Sequence, residues 1–212
     1  MLRFERTHPV DAAHALPGRA TPVLTMPVFH RVTGDPLDRV FPGSQTTYFA
    51  AGCFWGVEKL FWQQPGVLST AAGYMGGFTP NPSYEEVCTG RTGHAETVRV
   101  VFDPTRTSFD ALVRVFFENH DPTQLNRQGN DVGTQYRSEI FTTDEEQARI
   151  AARARESYQR DLSAAGYGQL VTGIEPAAAW YFAEDYHQQY LDANPHGYCP
   201  VHATGIACSA EL

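Results

Sequence analysis

Two β-α-β patterns follow one another between residues 46 and 141, and this succession predicts an α+β fold, a ferredoxin-like two-layer α/β sandwich with helices packed on one face of the sheet. Two more observations complete the outline. Residues 1–43 are rich in proline and glycine and show no sustained period, which predicts an irregular N-terminal arm. From Asn194 the chain again loses its period, and residues 194–212 are expected to form a flexible tail beyond an α/β domain at 44–193.

The first element is a β-like run at 46–51, whose threonines and aromatics suit a pleated surface. Gly52 ends it. Phe54, Val57, Leu60 and Phe61 then recur at helical spacing until Gln64-Pro65-Gly66, which predicts a helix over 54–64. A second β-like run covers 67–74 and a glycine- and proline-rich connection covers 75–83. Glu96, Val98, Val100 and Phe102 alternate with Thr97, Arg99 and Val101, the pattern of a strand with one buried face. Thr107-x-x-Asp110 reads as a capping box ahead of an apolar helix carrying Phe109, Leu112, Val113, Phe116 and Phe117. A strand fits Tyr136–Phe141, and Thr143-x-x-Glu146 opens a mostly polar helix that runs to about Ala165. Short strands are expected at Gln169–Ile174 and Ala179–Phe182.

Composition narrows the function. With 212 residues, 42% of them hydrophobic, the chain can bury one sizeable core, so one domain and a monomer are expected. A net charge of −8 argues against a sequence-independent grip on nucleic acid or on an anionic membrane. No stretch has the length and apolarity of a signal peptide or a membrane span, which points to a cytoplasmic protein. Cys53, Cys88, Cys199 and Cys208 are too few and too unevenly spread for a disulfide scaffold.

Cys53 sits at a glycine-bounded junction between strand and helix, where unpaired amide N–H groups and the helix dipole favour a thiolate. A reactive nucleophile and a buried small hydrophobe both fit that position. Glu96 shares a strand face with Val98, Val100 and Phe102; burial there would raise its pKa and make it a proton donor, whereas a place at the strand's open end would leave it solvated. The polar segments Asn119–Pro122 and Gln124–Gln135, the latter holding Asp131, have the make-up of site-lining loops. Cys88 has no chemical task and reads as core filler. His187 and the spacing His196-x-x-Cys199-x-x-His202-x5-Cys208 raise a zinc reading, but no Cys-x-x-Cys knuckle is present and the alternative is a pair of resolving thiols.

Seven motifs, in order, resemble the A-type peptide methionine sulfoxide reductases: Gly52-Cys53-Phe54-Trp55-Gly56, Gly73-Tyr74-Met75-Gly76-Gly77, Asn81-Pro82-Ser83-Tyr84, Gly93-His94-Ala95-Glu96, Gly133–Ser138, Ala183–Tyr190 and Gly197-Tyr198-Cys199. The proline-rich arm is similar to that of longer bacterial members. This resemblance implies that 44–193 is a catalytic domain that reduces protein-bound and free methionine (S)-S-oxide to methionine, as in repair of oxidative damage. It implies that Cys53 is the nucleophile and that Glu96 protonates the departing oxygen. Tyr84 and Tyr136 would hydrogen-bond that oxygen, Phe54 and Trp55 would form the methyl pocket, and Asp131 and Tyr198 would hold the substrate. Cys199 would resolve the Cys53 sulfenic acid, and Cys208 would exchange into a Cys199–Cys208 disulfide for reduction by thioredoxin. No metal and no cofactor are implied. A cysteine hydrolase using Cys53 with a histidine such as His94 is the rival enzyme reading.

Overall fold

The computed structural model describes residues 7–198 and 202–209. Its strands are β1 (Gln45–Ala51), β2 (Val67–Met75), β3 (Ala95–Phe102), β4 (Arg127–Gln128), β5 (Asp131–Val132), β6 (Ser138–Thr142), β7 (Gly173–Pro176) and β8 (Tyr181–Phe182). The helices are α1 (Phe54–Trp62), α2 (Tyr84–Cys88), α3 (Phe109–Glu118), α4 (Glu145–Ala164) and α5 (Tyr190–Ala193). A six-stranded sheet runs in the order β7-β6-β1-β3-β2-β8, while β4 and β5 form a separate ladder. All neighbours in the large sheet are antiparallel except β6 and β7.

One face of the sheet carries Phe49, Tyr74, Val98, Val100 and Ile140 into the main core, against α1, α3 and α4. Phe49 stacks on Phe61 of α1 with ring centroids 4.6 Å apart, which ties the first helix to the central strand. The opposite face is also covered. Ala50, Met75, Ala95 and Phe141 pack there with Trp180, and Leu24 and Leu37 of the arm pack on Ala71. This corrects the expectation of a one-faced β3: seven of its eight residues are buried, because the arm and the β7–β8 segment cover the side that alternation left open.

The helix starts shift by one residue. Ser108 caps α3 by accepting from the Ala111 N–H, and Asp144 caps α4 by accepting from the Gln147 N–H, so Thr107 and Thr143 are not the caps. The capping box that does form, Ser83 with Glu86, starts the short α2, which hydrophobic periodicity was too brief to reveal. Thr134–Tyr136 is a 3-10 turn, and the strand expected from Tyr136 begins at Ser138. The strand expected at Gln169–Ile174 is β7, beginning at Gly173.

Residues 202–209 are not the unpacked tail that the loss of period predicts. The Tyr158 hydroxyl donates to the Ile206 carbonyl at 3.0 Å, the Cys208 N–H donates to Glu118 at 2.8 Å, and the Ser209 N–H donates to Asp161 at 3.0 Å. Cys208 is 5% exposed and belongs to the main core. Polar groups on α3 and α4 satisfy an irregular backbone, a form of order that has no sequence period. Among the described residues, no helix is long and apolar enough to cross a membrane.

Candidate active site

Cys53 is the N-cap residue of α1, held between the end of β1 and the first helical turn. The turn before it requires glycine. Gly52 has φ +94°, and a Cβ there would stand 2.7 Å from Cγ of Gln128. Gln128 cannot easily yield, because its amide exchanges two hydrogen bonds with the Asp121 backbone, at 3.0 and 2.7 Å. The loop of β4 and β5 is thereby pinned beside the cysteine, and Asp131 comes with it.

Glu96 enters from β3, where its partner across the ladder is Tyr74. It is 2% exposed and accepts a hydrogen bond from the Phe54 N–H at 3.0 Å, so the first amide of α1 and the carboxyl share one spot. Burial pushes its pKa up to about 8; the Phe54 N–H pulls it down, and the charge on Asp131 adds to the rise. At neutral pH Glu96 therefore holds its proton. The buried alternative at this position is the one the structure shows.

The Cys53 thiol behaves differently from the helix-terminus expectation. Burial and then the charge on Glu96 push its pKa well above the ordinary thiol range, while the Trp55 and Gly56 N–H groups oppose the rise and lose. The resting pair is a neutral thiol beside a neutral acid. Tyr84 and Tyr136 feel the same burial and the same Glu96 charge, so both phenols remain protonated donors at neutral pH.

Aromatic rings wall this group. Phe54 is 1% exposed and lies with its centroid 5.9 Å from Tyr74, 6.4 Å from Tyr84 and 5.0 Å from His187. Trp55 stacks on Tyr190 at 3.9 Å and donates its indole N–H to His187 Nδ1 at 3.0 Å. Burial lowers the His187 pKa to about 4, so its Nδ1 is a standing acceptor. The Tyr198 hydroxyl donates to Asp131 Oδ1 at 3.1 Å, while buried Asp131 Oδ2 has no hydrogen-bond partner among the described residues. Cys53, Glu96, Tyr84, Tyr136, Phe54, Trp55, Asp131 and Tyr198 are thus brought together. Cys199 lies outside the described residues.

Other expectations resolve differently. His94 spends both ring nitrogens on structure, accepting from Gly77 N–H at 3.1 Å and bonding the Thr79 carbonyl at 2.8 Å. His120 is likewise tied to the Phe116 carbonyl and Ser138, each at 2.7 Å. Cys88 is half-buried beside Tyr84 instead of filling the core. Periodicity missed Glu184, which accepts from the Tyr74 hydroxyl at 3.0 Å and from the Tyr84 N–H at 2.9 Å, fixing the start of α2. The motif Ala183–Tyr190 was its signal, but no spacing rule assigns such bonds.

The family model for peptide methionine sulfoxide reductases matches residues 45–210. The chain is 59% identical over 209 residues to a peptide methionine sulfoxide reductase MsrA of Rhodospirillum centenum, covering 98% of this chain and 95% of that one. Among solved structures, methionine sulfoxide reductase A of Corynebacterium diphtheriae is 50% identical with a TM-score of 0.86, over 97% of this chain and all (100%) of that one. Reduced Mxr1 from Saccharomyces cerevisiae is 36% identical with a TM-score of 0.72, over 77% of this chain and 94% of its own. With a match that runs through every element of the sheet and through the site, the chain belongs to the peptide methionine sulfoxide reductase family.

Proposed function

We propose that this chain reduces methionine (S)-S-oxide, in proteins and as the free amino acid, with Cys53 as nucleophile and Glu96 as acid. The observation that carries the reading is a buried carboxyl whose oxygen bonds the amide next to Cys53, in surroundings that raise its pKa and favour the protonated acid. A sulfoxide is a poor electrophile until its oxygen is protonated or hydrogen-bonded. Glu96 delivers the proton, Tyr84 and Tyr136 donate to the same oxygen, and the Cys53 sulfur attacks the substrate sulfur. The oxygen passes to Cys53 as a sulfenic acid, methionine leaves, and the thiol's own proton restores Glu96. Phe54 and Trp55 take the methyl group, while Asp131 and Tyr198 hold the rest of the substrate.

Cys199 then condenses with the sulfenic acid, releasing water and forming a disulfide with Cys53. Cys208 exchanges into it, and thioredoxin reduces the Cys199–Cys208 disulfide. The position of Cys208 supports the relay: its N–H is anchored on Glu118, next to Asn119, which lines the cleft at Cys53. Exchange requires the packed segment at 202–209 to lift. The ferredoxin-like reading of the fold is supported by the order β6-β1-β3-β2 of the strands joined by α1 and α3. A cytoplasmic setting fits the sparse cysteines.

The test is single turnover with a methionine sulfoxide peptide. Cys53→Ser is expected to abolish it, and Cys208→Ser to keep one turnover while losing thioredoxin-driven cycling. Methionine formed by Cys53→Ser would overturn the nucleophile, and full cycling by Cys208→Ser would overturn the relay.

A further inference from the structure

Glu58 of α1 is fully buried, yet no step above uses it. Its carboxylate accepts from the Thr70 hydroxyl at 3.1 Å, from the Gln189 N–H at 2.8 Å and from the Gln189 side-chain amide at 2.6 Å. The direction of these bonds is determined. His30 Nδ1 accepts from the Val32 and Thr33 N–H groups, both at 3.2 Å, so its ring proton is on Nε2 and points at Thr70 Oγ1, 3.1 Å away. Thr70 then has its own proton for Glu58. Gln189 completes the path to the arm by accepting from the Arg31 N–H at 3.0 Å.

Gln189 has a left-handed backbone, φ +46°, which a residue with a side chain adopts only when its surroundings hold it there. Of the residues around it, His187 and Tyr190 support the Trp55 wall while Gln188 holds the chain to the sheet. Gln188 fixes the chain to β2 by bonding both backbone groups of Ala72, at 3.0 and 2.9 Å. His187 receives the Trp55 indole N–H, and Tyr190 stacks on the Trp55 ring. The turn at Gln189 thus sets where both supports of Trp55 stand.

We propose that Glu58 is a positioning residue for the methyl pocket: by clamping Gln189 it fixes His187 and Tyr190, and through them the indole of Trp55. The inference rests on the reading of Trp55 as a pocket wall. Burial pushes the Glu58 pKa up to about 7, and the three donors that converge on the carboxyl oppose that rise, so the ionised form is the one this network accommodates. Glutamine at position 58 would turn its NH2 group toward the Gln189 N–H in one orientation, or toward both the Thr70 hydroxyl and the Gln189 side-chain amide in the other, so at least one bond is lost either way. The arm shares in this work, since His30 and Arg31 complete the network from outside the sheet.

The experiment compares wild type, Glu58→Gln and Gln189→Ala on a methionine sulfoxide peptide and on its S-ethyl counterpart, with KM and the saturating rate measured separately. Glu58→Gln is expected to raise KM for the methyl substrate about tenfold and Gln189→Ala about threefold, with saturating rates within about threefold of wild type. The methyl-over-ethyl preference should shrink in both. Unchanged KM and preference, or a fall in saturating rate alone, would overturn the clamp. Should Glu58→Gln not fold, Gln189→Ala carries the same comparison. Trp55→Ala separates the two claims: if it also keeps the preference, the pocket reading itself fails, and if it loses the preference while the clamp variants keep it, only the clamp fails.

Discussion

Replacing Glu96 by glutamine should remove a pH-dependent loss of stability while making the protein a poor catalyst. The carboxyl pKa rises from its ordinary 4.5 to about 8 on folding, chiefly through burial. Between those values the folded chain holds a proton that the unfolded chain releases, so stability falls as pH rises from the lower value to the higher. At pH 7 the shift destabilises folding by about 3 kcal/mol, and at pH 5 by about 1 kcal/mol. Glutamine does not ionise and keeps an acceptor for the Phe54 N–H. Its own packing effect, whatever its sign, is the same at both pH values. Urea unfolding of both proteins at pH 5 and pH 7 should therefore show the stability of Glu96→Gln, relative to wild type, improving by about 2 kcal/mol between the two conditions. The same variant should lose roughly 10²-fold in the chemical step if general-acid help is removed. A stability difference that does not change with pH would refute the buried, protonated acid.

Other outcomes follow from the same geometry. The rate kcat/KM should fall about tenfold per pH unit above pH 8, as Glu96 gives up its proton, and that limb should vanish from the residual activity of Glu96→Gln; a falling limb retained in the variant would assign it to another group. Cys53 should react slowly with iodoacetamide at neutral pH and faster in alkaline Glu96→Gln than in alkaline wild type, because the Glu96 charge that opposes the thiolate is gone. Tyr158→Phe removes the hydroxyl that bonds Thr204 and Ile206, loosening the segment by about 1–2 kcal/mol; maleimide labelling of Cys208 should accelerate while single turnover at Cys53 is unchanged.

Much of this arrangement is readable in the amino-acid sequence. Gly52 and the run Phe54 to Phe61 place Cys53 at a helix start, and the alternation from Glu96 to Phe102 puts the acid on the core face of a strand. Both are period-based inferences, and period survives into structure wherever one face is buried. The protonation of Cys53 was not legible, because the helix terminus is a local feature whereas burial and the Glu96 charge arrive from β3, distant in sequence. The roles within His187–Tyr190 were equally hidden. One residue accepts an indole N–H, the next mimics a strand, the third clamps a buried carboxylate, and the fourth stacks, so no repeat connects them. The packing of residues 202–209 escaped for a related reason: scattered hydrogen bonds to Glu118, Tyr158 and Asp161 leave no pattern in the segment itself.

The most direct test of the chemistry uses protein with Cys199→Ser and Cys208→Ser, given one equivalent of methionine sulfoxide peptide and then a diketone that captures sulfenic acids. Peptide mapping should find one label per methionine formed, on Cys53 and not on Cys88. Methionine produced without a label on Cys53, or with the label on Cys88, would contradict the assignment of Cys53 as the residue that takes the oxygen.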